Sequence, residues 1–252
     1  MAQKKRVLLS LLTENDGLAR LLADELTRSG LMVSAHRFLV DDPMAFAATA
    51  KELTSCQAWV VVGSDFASSA VRKALSLCAL SVQTEVGSNF PILLSHSSTP
   101  PEPDHLPTPL KGCEIVKKGL GAKAAVLAAT WKPRMADYRL RAHSLGKLGL
   151  WFEVGPQEGF WQGAFFASGA EGIPTAHGVG MGNTIPERST LHYPVEGMQL
   201  AVQGIPCVGF GVKNELNANT SYYVRVSSCP DVLLFGAFPE EDTADLYRVN
   251  LV

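Results

Sequence analysis

Glycines alternate along one short segment in the second half of the chain. The run Gly178–Gly182 (Gly-Val-Gly-Met-Gly) is followed by Asn183. Because glycine lacks a side chain, a ligand can approach the backbone, and N–H groups near Gly180 and Asn183 could bind an oxyanion or a phosphate. The run is not a G-x-G-x-x-G fingerprint and no clear strand-to-helix unit surrounds it. The pattern therefore does not predict a dinucleotide site.

His177, directly before this run, is the strongest candidate for a catalytic residue. It could act as a general base, with Glu171 orienting the imidazole and Arg188 holding an anionic substrate. Alternatively, the glycines only form tight turns between β-segments, and His177 and His192 are ordinary surface residues. The histidines lack the H-E-x-x-H and H-x₃₋₅-H spacings, so we predict no metal site.

Three polar loops in the first half of the chain form the second candidate site. Each follows an apolar run of strand length. At the carboxyl edge of a parallel sheet, helix N-termini point free N–H groups toward a ligand, an arrangement that suits phosphate. We therefore expect these loops to lie together. With the glycine segment, the candidate ligand-binding residues are Thr13, Asn15, Ser64, Asp65, Ser68, Ser95, His96, Gly180 and Asn183.

The elements that position these loops alternate between two periods. Stretches with apolar residues at helical spacing separate four apolar runs that predict buried strands. A cap residue, Asp42, and Pro43 after it mark the start of the second helix, which should run to about Thr54. The alternation favours a parallel sheet with helices on both faces. The predicted strands are Val7–Leu12, Leu31–Phe38, Ala58–Gly63 and Phe90–Leu94.

A proline-rich stretch interrupts this pattern. Five prolines fall between Thr99 and Pro109, which predicts an extended loop. A short fifth strand at Cys113–Val116 and a helix at Ala122–Ala129 should follow. Pro133 is expected to break or kink the helical region, which resumes through about His143.

The chain changes character from Leu148 onward. Thirteen of the 22 glycines lie between Gly149 and Gly211. The short apolar segments predict a mostly antiparallel β unit, with Val195–Val202 as its one helix. We therefore predict two domains, residues 1–147 and 148–252. The strands expected in the second are Leu150–Val154, Gly163–Ala167, Ile205–Val212, Tyr222–Val226 and Val232–Phe235.

The order of elements over residues 6–130 resembles the flavodoxin-like superfold, which includes flavodoxins and response-regulator receiver domains. The resemblance implies an α/β fold with a doubly wound parallel sheet. A glycine-rich, mainly antiparallel β (α+β) domain would follow it. Flavodoxins cradle the flavin phosphate in a loop rich in Ser and Thr, whereas Glu14 and Asp16 place negative charge there. Phe66 is the only aromatic available to stack on the flavin, so we assign no cofactor.

The resemblance to receiver domains implies different chemistry. Asp65 falls where the phospho-accepting aspartate would lie, Ser95 where a hydroxyl switches, and Lys117 where an ammonium pairs with the phosphoryl group. Glu14 or Asp16 could supply the acidic magnesium site. The sequence departs from this pattern, because the residue after Lys117 is not proline. The structural alternative is that Thr13 or Asp65 caps the following helix and Lys117 is solvated.

Composition narrows the class of protein. The 252 residues are 46% apolar and 18% charged, enough to bury a sizeable core. A net charge of −2 makes a nucleic-acid partner unlikely, and no apolar run approaches the eighteen or so residues that span a bilayer. The apolar run after Arg6 is too short for a signal peptide. The five cysteines form no C-x-x-C pair, so we expect a cytoplasmic protein with reduced thiols.

Charge is distributed unevenly along the chain. Lys111–Lys147 carries nine basic residues against two acids, and residues 148–252 carry four basic residues against eleven acids. These segments could pack on each other, or the basic one could hold an anionic ligand. We predict a protein that binds a small anionic, nucleotide-like or phosphorylated molecule in a cleft between its domains, with or without a reaction. The alternatives are a receiver-like regulator with Asp65 as phospho-acceptor, and a non-catalytic interaction or scaffold protein, for which a homo-oligomer is expected.

Overall fold

The chain divides into two compact units, Met1–Met135 and Ala136–Val252. The computed structural model describes residues 4–42, 44–96, 100–146, 149–169, 171–239 and 245–252. The division precedes the boundary predicted at 147/148, because the strand Tyr138–Ser144 pairs with the strand Leu150–Pro156 of the second unit. Residues 147 and 148 lie outside the described residues, as does Pro43.

A five-stranded, all-parallel sheet with helices forms the first unit. Its strand order is β2-β1-β3-β4-β5, which is compatible with a flavodoxin-like fold. The proline-rich stretch, expected to be extended, contains two short 3₁₀ helices, Pro103–His105 and Thr108–Leu110. In chain order the elements are β1 (Arg6–Leu11), α1 (Asp16–Arg28), β2 (Met32–Arg37), α2 (Ala45–Leu53), β3 (Ala58–Gly63), α3 (Ser69–Val86), β4 (Ile92–His96), β5 (Glu114–Val116) and α4 (Leu120–Thr130).

Apolar side chains are buried on both faces of the central strands. Leu9 of β1 packs into a core with residues of α1 and α4, while its neighbours Leu8 and Ser10, which point to the other face, are also fully buried. Gly121 allows α1 and α4 to approach, because a Cβ there would lie 2.7 Å from the carbonyl oxygen of Glu25. Burial on both faces explains why these strands are continuous apolar runs.

Two antiparallel sheets form the second unit, as predicted for a mainly antiparallel β region. Their strand orders are β10-β11-β8-β13-β14 and β6-β7-β12-β9. Phe152 of β7 and Phe166 of β8 stack with ring centroids 5.6 Å apart, so the two sheets share a core. The strands are β6 (Tyr138–Ser144), β7 (Leu150–Pro156), β8 (Phe160–Gly169), β9 (Pro174–Met181), β10 (Val195–Val202), β11 (Ile205–Asn217), β12 (Thr220–Val226), β13 (Val232–Gly236) and β14 (Tyr247–Asn250).

Two helix predictions in this part of the chain are wrong. Val195–Val202 is not a helix but the strand β10, which pairs with β11, and the expected helical region before residue 144 is the strand β6. Alternate side chains face the core in both strands. Met198 and Leu200 of β10 pack against buried residues, and Leu140 and Ala142 of β6 are buried. A period of two residues therefore prevails over helix propensity here.

Candidate functional site

The carboxyl ends of β1, β3 and β4 bring the predicted polar loops to one edge of the parallel sheet. Gly63 and His96 are register partners at the ends of β3 and β4. The Leu12 N–H donates to the Val62 carbonyl oxygen at 2.8 Å, which ties the loop after β1 to β3. The residues that the topology places at this edge are Thr13, Asn15, Ser64, Asp65, Ser68, Ser95 and His96.

The loop before α1 already contains its own acceptors and negative charge. Asn15 Oδ1 accepts a hydrogen bond from the Leu18 N–H at 2.9 Å, and Asp16 lies in the first turn of the helix. Glu14 Oε1 lies 3.2 Å from Arg37 Nη1, at the end of β2. Because a capping oxygen and acidic side chains satisfy the positive end of the helix dipole, α1 offers little to an anion.

The start of α3 differs from that of α1. Asp65 Oδ1 accepts from the Ser68 N–H at 3.2 Å, which closes the turn before the helix. The first turn of α3 contains no acidic residue, and within the described structure the N-cap residue Ser68 makes no capping hydrogen bond with its side chain. Arg72 Nε donates to the Phe66 carbonyl oxygen at 3.0 Å, which holds a guanidinium beside this turn. The start of α3 therefore combines the positive end of the helix dipole and the Arg72 guanidinium with one carboxylate, Asp65, and Phe66 itself is buried.

A buried polar network that sequence reasoning missed lies one residue before the ends of β1 and β2. Ser10 Oγ accepts from Trp59 Nε1 at 2.8 Å and lies 2.6 Å from His36 Nε2. Burial lowers the pKa of His36 below its ordinary value, which favours the neutral form of the imidazole that meets Ser10. The sequence signal that could have indicated this network is the presence of Ser10 and His36 inside predicted strands.

In the second unit, His177 is held between the two sheets. Its Nδ1 lies 2.7 Å from the Tyr222 hydroxyl, and its Nε2 lies 3.1 Å from Glu196 Oε1. The ring packs edge-on to Phe210, with centroids 5.0 Å apart, and its side chain is 4% exposed. Burial lowers the pKa of His177, opposed by the nearby Glu196 carboxylate. Both ring nitrogens are therefore engaged by groups of the protein.

The other two residues of the predicted catalytic set lie at the surface. Glu171 is in the turn between β8 and β9, and Arg188 follows β9 in an irregular segment; both residues are exposed. The carboxylate that contacts the His177 ring is that of Glu196, on β10. Sequence reasoning selected Glu171 because it is near His177 along the chain, whereas β10 reaches the ring only through the packing of the two sheets.

The alternating glycines make room for another segment of the chain. A Cβ at Gly180 would lie 2.9 Å from the Pro186 Cβ, and one at Gly178 would lie 3.1 Å from the Pro186 Cγ. Ser189 Oγ accepts from the Val179 N–H at 2.7 Å and donates to the Val179 carbonyl at 3.0 Å. The segment that contains Pro186 and Ser189 therefore lies directly against β9.

A buried carboxylate, Glu153, collects four donors and was also missed by sequence reasoning. Its Oε2 lies 3.0 Å from Arg141 Nη1 and 2.8 Å from His143 Nε2, and its Oε1 accepts from the Ser221 hydroxyl at 2.8 Å and the Asn183 N–H at 2.9 Å. Burial raises the pKa of Glu153, but these hydrogen bonds and the Arg141 charge outweigh it and bring the pKa to about 2. Glu153 is therefore a buried anion that fixes the turn after β9.

Arg139 completes this network from the neighbouring position of β6. It is buried, and its Nη2 donates to the Thr220 carbonyl at 2.7 Å and to the Ser221 hydroxyl at 3.0 Å. Its Nε has no hydrogen-bond partner within the described structure. Arg139 and Arg141 belong to the basic segment of the sequence and Glu153 to the acidic one, so part of the charge asymmetry is neutralised inside the second unit.

The described residues contain neither a cluster of metal ligands nor a helix long and apolar enough to span a membrane. Among the described residues, no group of three or more histidine, cysteine, aspartate or glutamate side chains converges to hold a metal ion. Within the same residues, no helix has the length and apolar character needed to cross a bilayer. Cys207 of β11 is a buried free thiol.

Comparison with known proteins adds little. No family model matches the sequence, and no curated protein matches it. Among solved structures, the chain is similar to a β-glucosidase from Listeria innocua in complex with isofagomine, at 10% sequence identity and a TM-score of 0.30. The match covers 98% of this chain and 46% of that one, so the chain spans less than half of its length. With a TM-score this low, the similarity implies neither a shared fold nor a shared activity.

Proposed function

We propose that the protein binds a small phosphorylated ligand at the carboxyl edge of the parallel sheet, between the loops that follow β1 and β3. The strand order β2-β1-β3-β4-β5 carries the proposal. The chain leaves β1 toward β2 on one side, and β3 lies on the other side. A crevice forms where the connections diverge, and ligands of doubly wound sheets bind in such crevices. Within this proposal, the first unit is a flavodoxin-like domain.

The start of α3 supports phosphate as the chemical group. The helix N-terminus carries partial positive charge. In the described structure the Ser68 side chain makes no hydrogen bond to the N–H groups in the first turn of α3. Arg72 adds a full positive charge beside this turn. The neighbouring α1 is already capped by Asn15, so α3 is the better anion site of the two.

Asp65 provides a sensitive test because it is the carboxylate that closes this turn. Asp65→Asn removes the negative charge but keeps the Oδ1 acceptor for the Ser68 N–H. A like charge about 4 Å away costs ~1 kcal/mol in water, so affinity for a phosphate should rise about fivefold. Arg72→Met should lower it by a similar factor.

Isothermal titration with inorganic phosphate, AMP and FMN measures these changes. Asp24→Asn, an exposed aspartate in the middle of α1, is the matched control and should leave every affinity unchanged. The proposal fails if none of the three probes binds at millimolar concentration, or if Asp65→Asn and Arg72→Met change affinity no more than the control does.

The receiver-like alternative gives Asp65 a different role, that of the residue which accepts a phosphoryl group. Asp65 is the second residue after β3, and Lys117 directly follows β5 at the same sheet edge. If Asp65 accepts a phosphoryl group, acetyl phosphate with Mg²⁺ adds the mass of one phosphoryl group, and Asp65→Asn abolishes the adduct. In the binding proposal no adduct forms and Asp65→Asn binds phosphate more tightly, so one variant separates the two functions.

A further inference from the structure

A cavity of about 570 Å³ lies at the opposite, amino-terminal edge of the parallel sheet. Its walls come from the amino ends of β4 and β5, the last turns of α3 and α4, and the 3₁₀ helix Thr108–Leu110. All of these elements belong to the first unit. The volume falls within the roughly 300–1,000 Å³ that is usual for small-molecule sites.

Aromatic and aliphatic side chains form one part of the wall. Phe90 and Trp131 meet edge to face with ring centroids 5.4 Å apart. Ile92 and Leu127 extend this apolar surface. The Trp131 N–H donates to the Leu127 carbonyl at 2.9 Å, which fixes the backbone that carries the indole. A flat ring can therefore pack on a surface that is already formed.

The polar groups of the wall are mostly engaged by the protein itself. Asn89 Nδ2 donates to the Lys132 carbonyl at 2.9 Å, and its Oδ1 accepts from the Arg134 N–H at 2.9 Å. Gln83 Nε2 donates to the Pro109 carbonyl at 2.8 Å. These amides hold the wall in place and leave recognition of a ligand to other groups.

Charge on the lining is positive. Lys111 and Lys132 are exposed at the cavity, while the one acid of the lining, Glu114, forms an ion pair with Lys123. Burial, with a smaller contribution from Glu114, raises the pKa of the Cys113 thiol to about 12, so this cysteine stays protonated and does not act as a nucleophile. The lining suits non-covalent binding of a molecule with negative charge.

We propose that this cavity is a second binding site, specific for a small aromatic anion whose ring packs against Trp131 and Phe90 and whose charge is met by Lys111 and Lys132. The site is separate from the phosphate site proposed at the carboxyl edge, because the two lie at opposite ends of the same strands. Binding at one does not require binding at the other.

Three probes separate the contributions of ring and charge. 1-Naphthoate carries both, naphthalene-1-methanol carries the ring alone, and cyclohexanecarboxylate carries the charge alone. Titration calorimetry should show the tightest binding for 1-naphthoate, roughly tenfold or more over either comparison compound. Equal affinity for 1-naphthoate and the neutral alcohol would overturn the assignment of an anion site, and absence of 1-naphthoate binding at millimolar concentration would overturn the site altogether.

Variants then locate the site. The double variant Lys111→Met and Lys132→Met should weaken 1-naphthoate roughly tenfold and leave naphthalene-1-methanol unchanged, whereas Trp131→Leu should weaken both. Lys51→Met, at an exposed lysine of α2, is the matched control. Unfolding curves of the lysine variants should coincide with that of the parent protein. If the lysine variants bind 1-naphthoate as the parent does, the proposal is wrong. Because Asp65 lies at the other edge of the sheet, Asp65→Asn should have no effect on any of these titrations.

Discussion

Replacing Glu153 by glutamine should destabilise the second unit strongly. The carboxylate is fully buried, and four donors point at it. Its pKa falls from 4.5 to about 2 on folding, which corresponds to roughly 3 kcal/mol of stability at neutral pH. Glutamine loses this charge and turns an N–H₂ group toward donors, while the buried Arg139 and the partly buried Arg141 keep their positive charges. We therefore expect a loss of about 3–5 kcal/mol.

The measurement is urea unfolding at neutral pH, followed by tryptophan fluorescence. A loss of about 3 kcal/mol should lower the unfolding midpoint by roughly 1–3 M urea. Glu158→Gln is the matched control, since Glu158 is exposed in the turn after β7. Hydrogen exchange adds a local readout, because the Asn183 N–H loses its acceptor and should exchange faster in Glu153→Gln.

The pH dependence has a defined sign. Because the folded pKa is depressed, the Glu153 contribution is present above the ordinary pKa of 4.5 and disappears as pH falls toward 2. The difference between parent and Glu153→Gln should therefore narrow in this window. If Glu153→Gln costs no more than Glu158→Gln at neutral pH, the buried cluster does not stabilise the unit and this reasoning is wrong.

Three further substitutions test local contacts, each by its shift in unfolding free energy. Tyr222→Phe should cost about 1–2 kcal/mol, because the His177 Nδ1 loses its 2.7 Å partner; no change would mean that this bond contributes nothing. Gly180→Ala should cost about 1–3 kcal/mol, since its Cβ would lie 2.9 Å from the Pro186 Cβ. A stability equal to the parent's would show that the segment around Pro186 moves away from β9 at no cost. Asn15→Ala should cost about 1 kcal/mol through loss of the cap on α1, and a stability equal to the parent's would contradict the capping role.

The parallel sheet was predictable because its central strands are buried on both faces. Such strands are continuous apolar runs, and Ala58–Gly63 is a strand with the predicted bounds. The connecting helices carry amphipathic stripes, such as Leu22 and Leu26 of α1. The strands of the parallel sheet and the positions of the loops between them could therefore be predicted from local sequence patterns. The order of the strands in the sheet could not.

Both segments mistaken for helix contain residues that favour helices and lie in strands for tertiary reasons. In β10, Met198 and Leu200 alternate with the exposed Gly197, Gln199 and Ala201, and packing on the neighbouring strand selects the period of two. In β6, arginines and an alanine favour helix locally, but Leu140 and Ala142 are buried by the sheet. Propensity is a weak guide where burial decides.

The polar clusters could not be predicted because they depend on register. Glu153 lies directly opposite Arg141 of β6 and Tyr223 of β12. A shift of one residue in either pairing would place these side chains on opposite faces. Sequence indicated only a carboxylate inside an apolar strand and basic residues at alternate positions of another.

Hydrogen exchange with and without inorganic phosphate tests the central proposal most directly. If phosphate binds at the start of α3, the amides of residues 64–72 should exchange more slowly at saturating phosphate, and this protection should weaken in Arg72→Met. Protection confined to the second unit, or none in residues 64–72 at saturation, would contradict it.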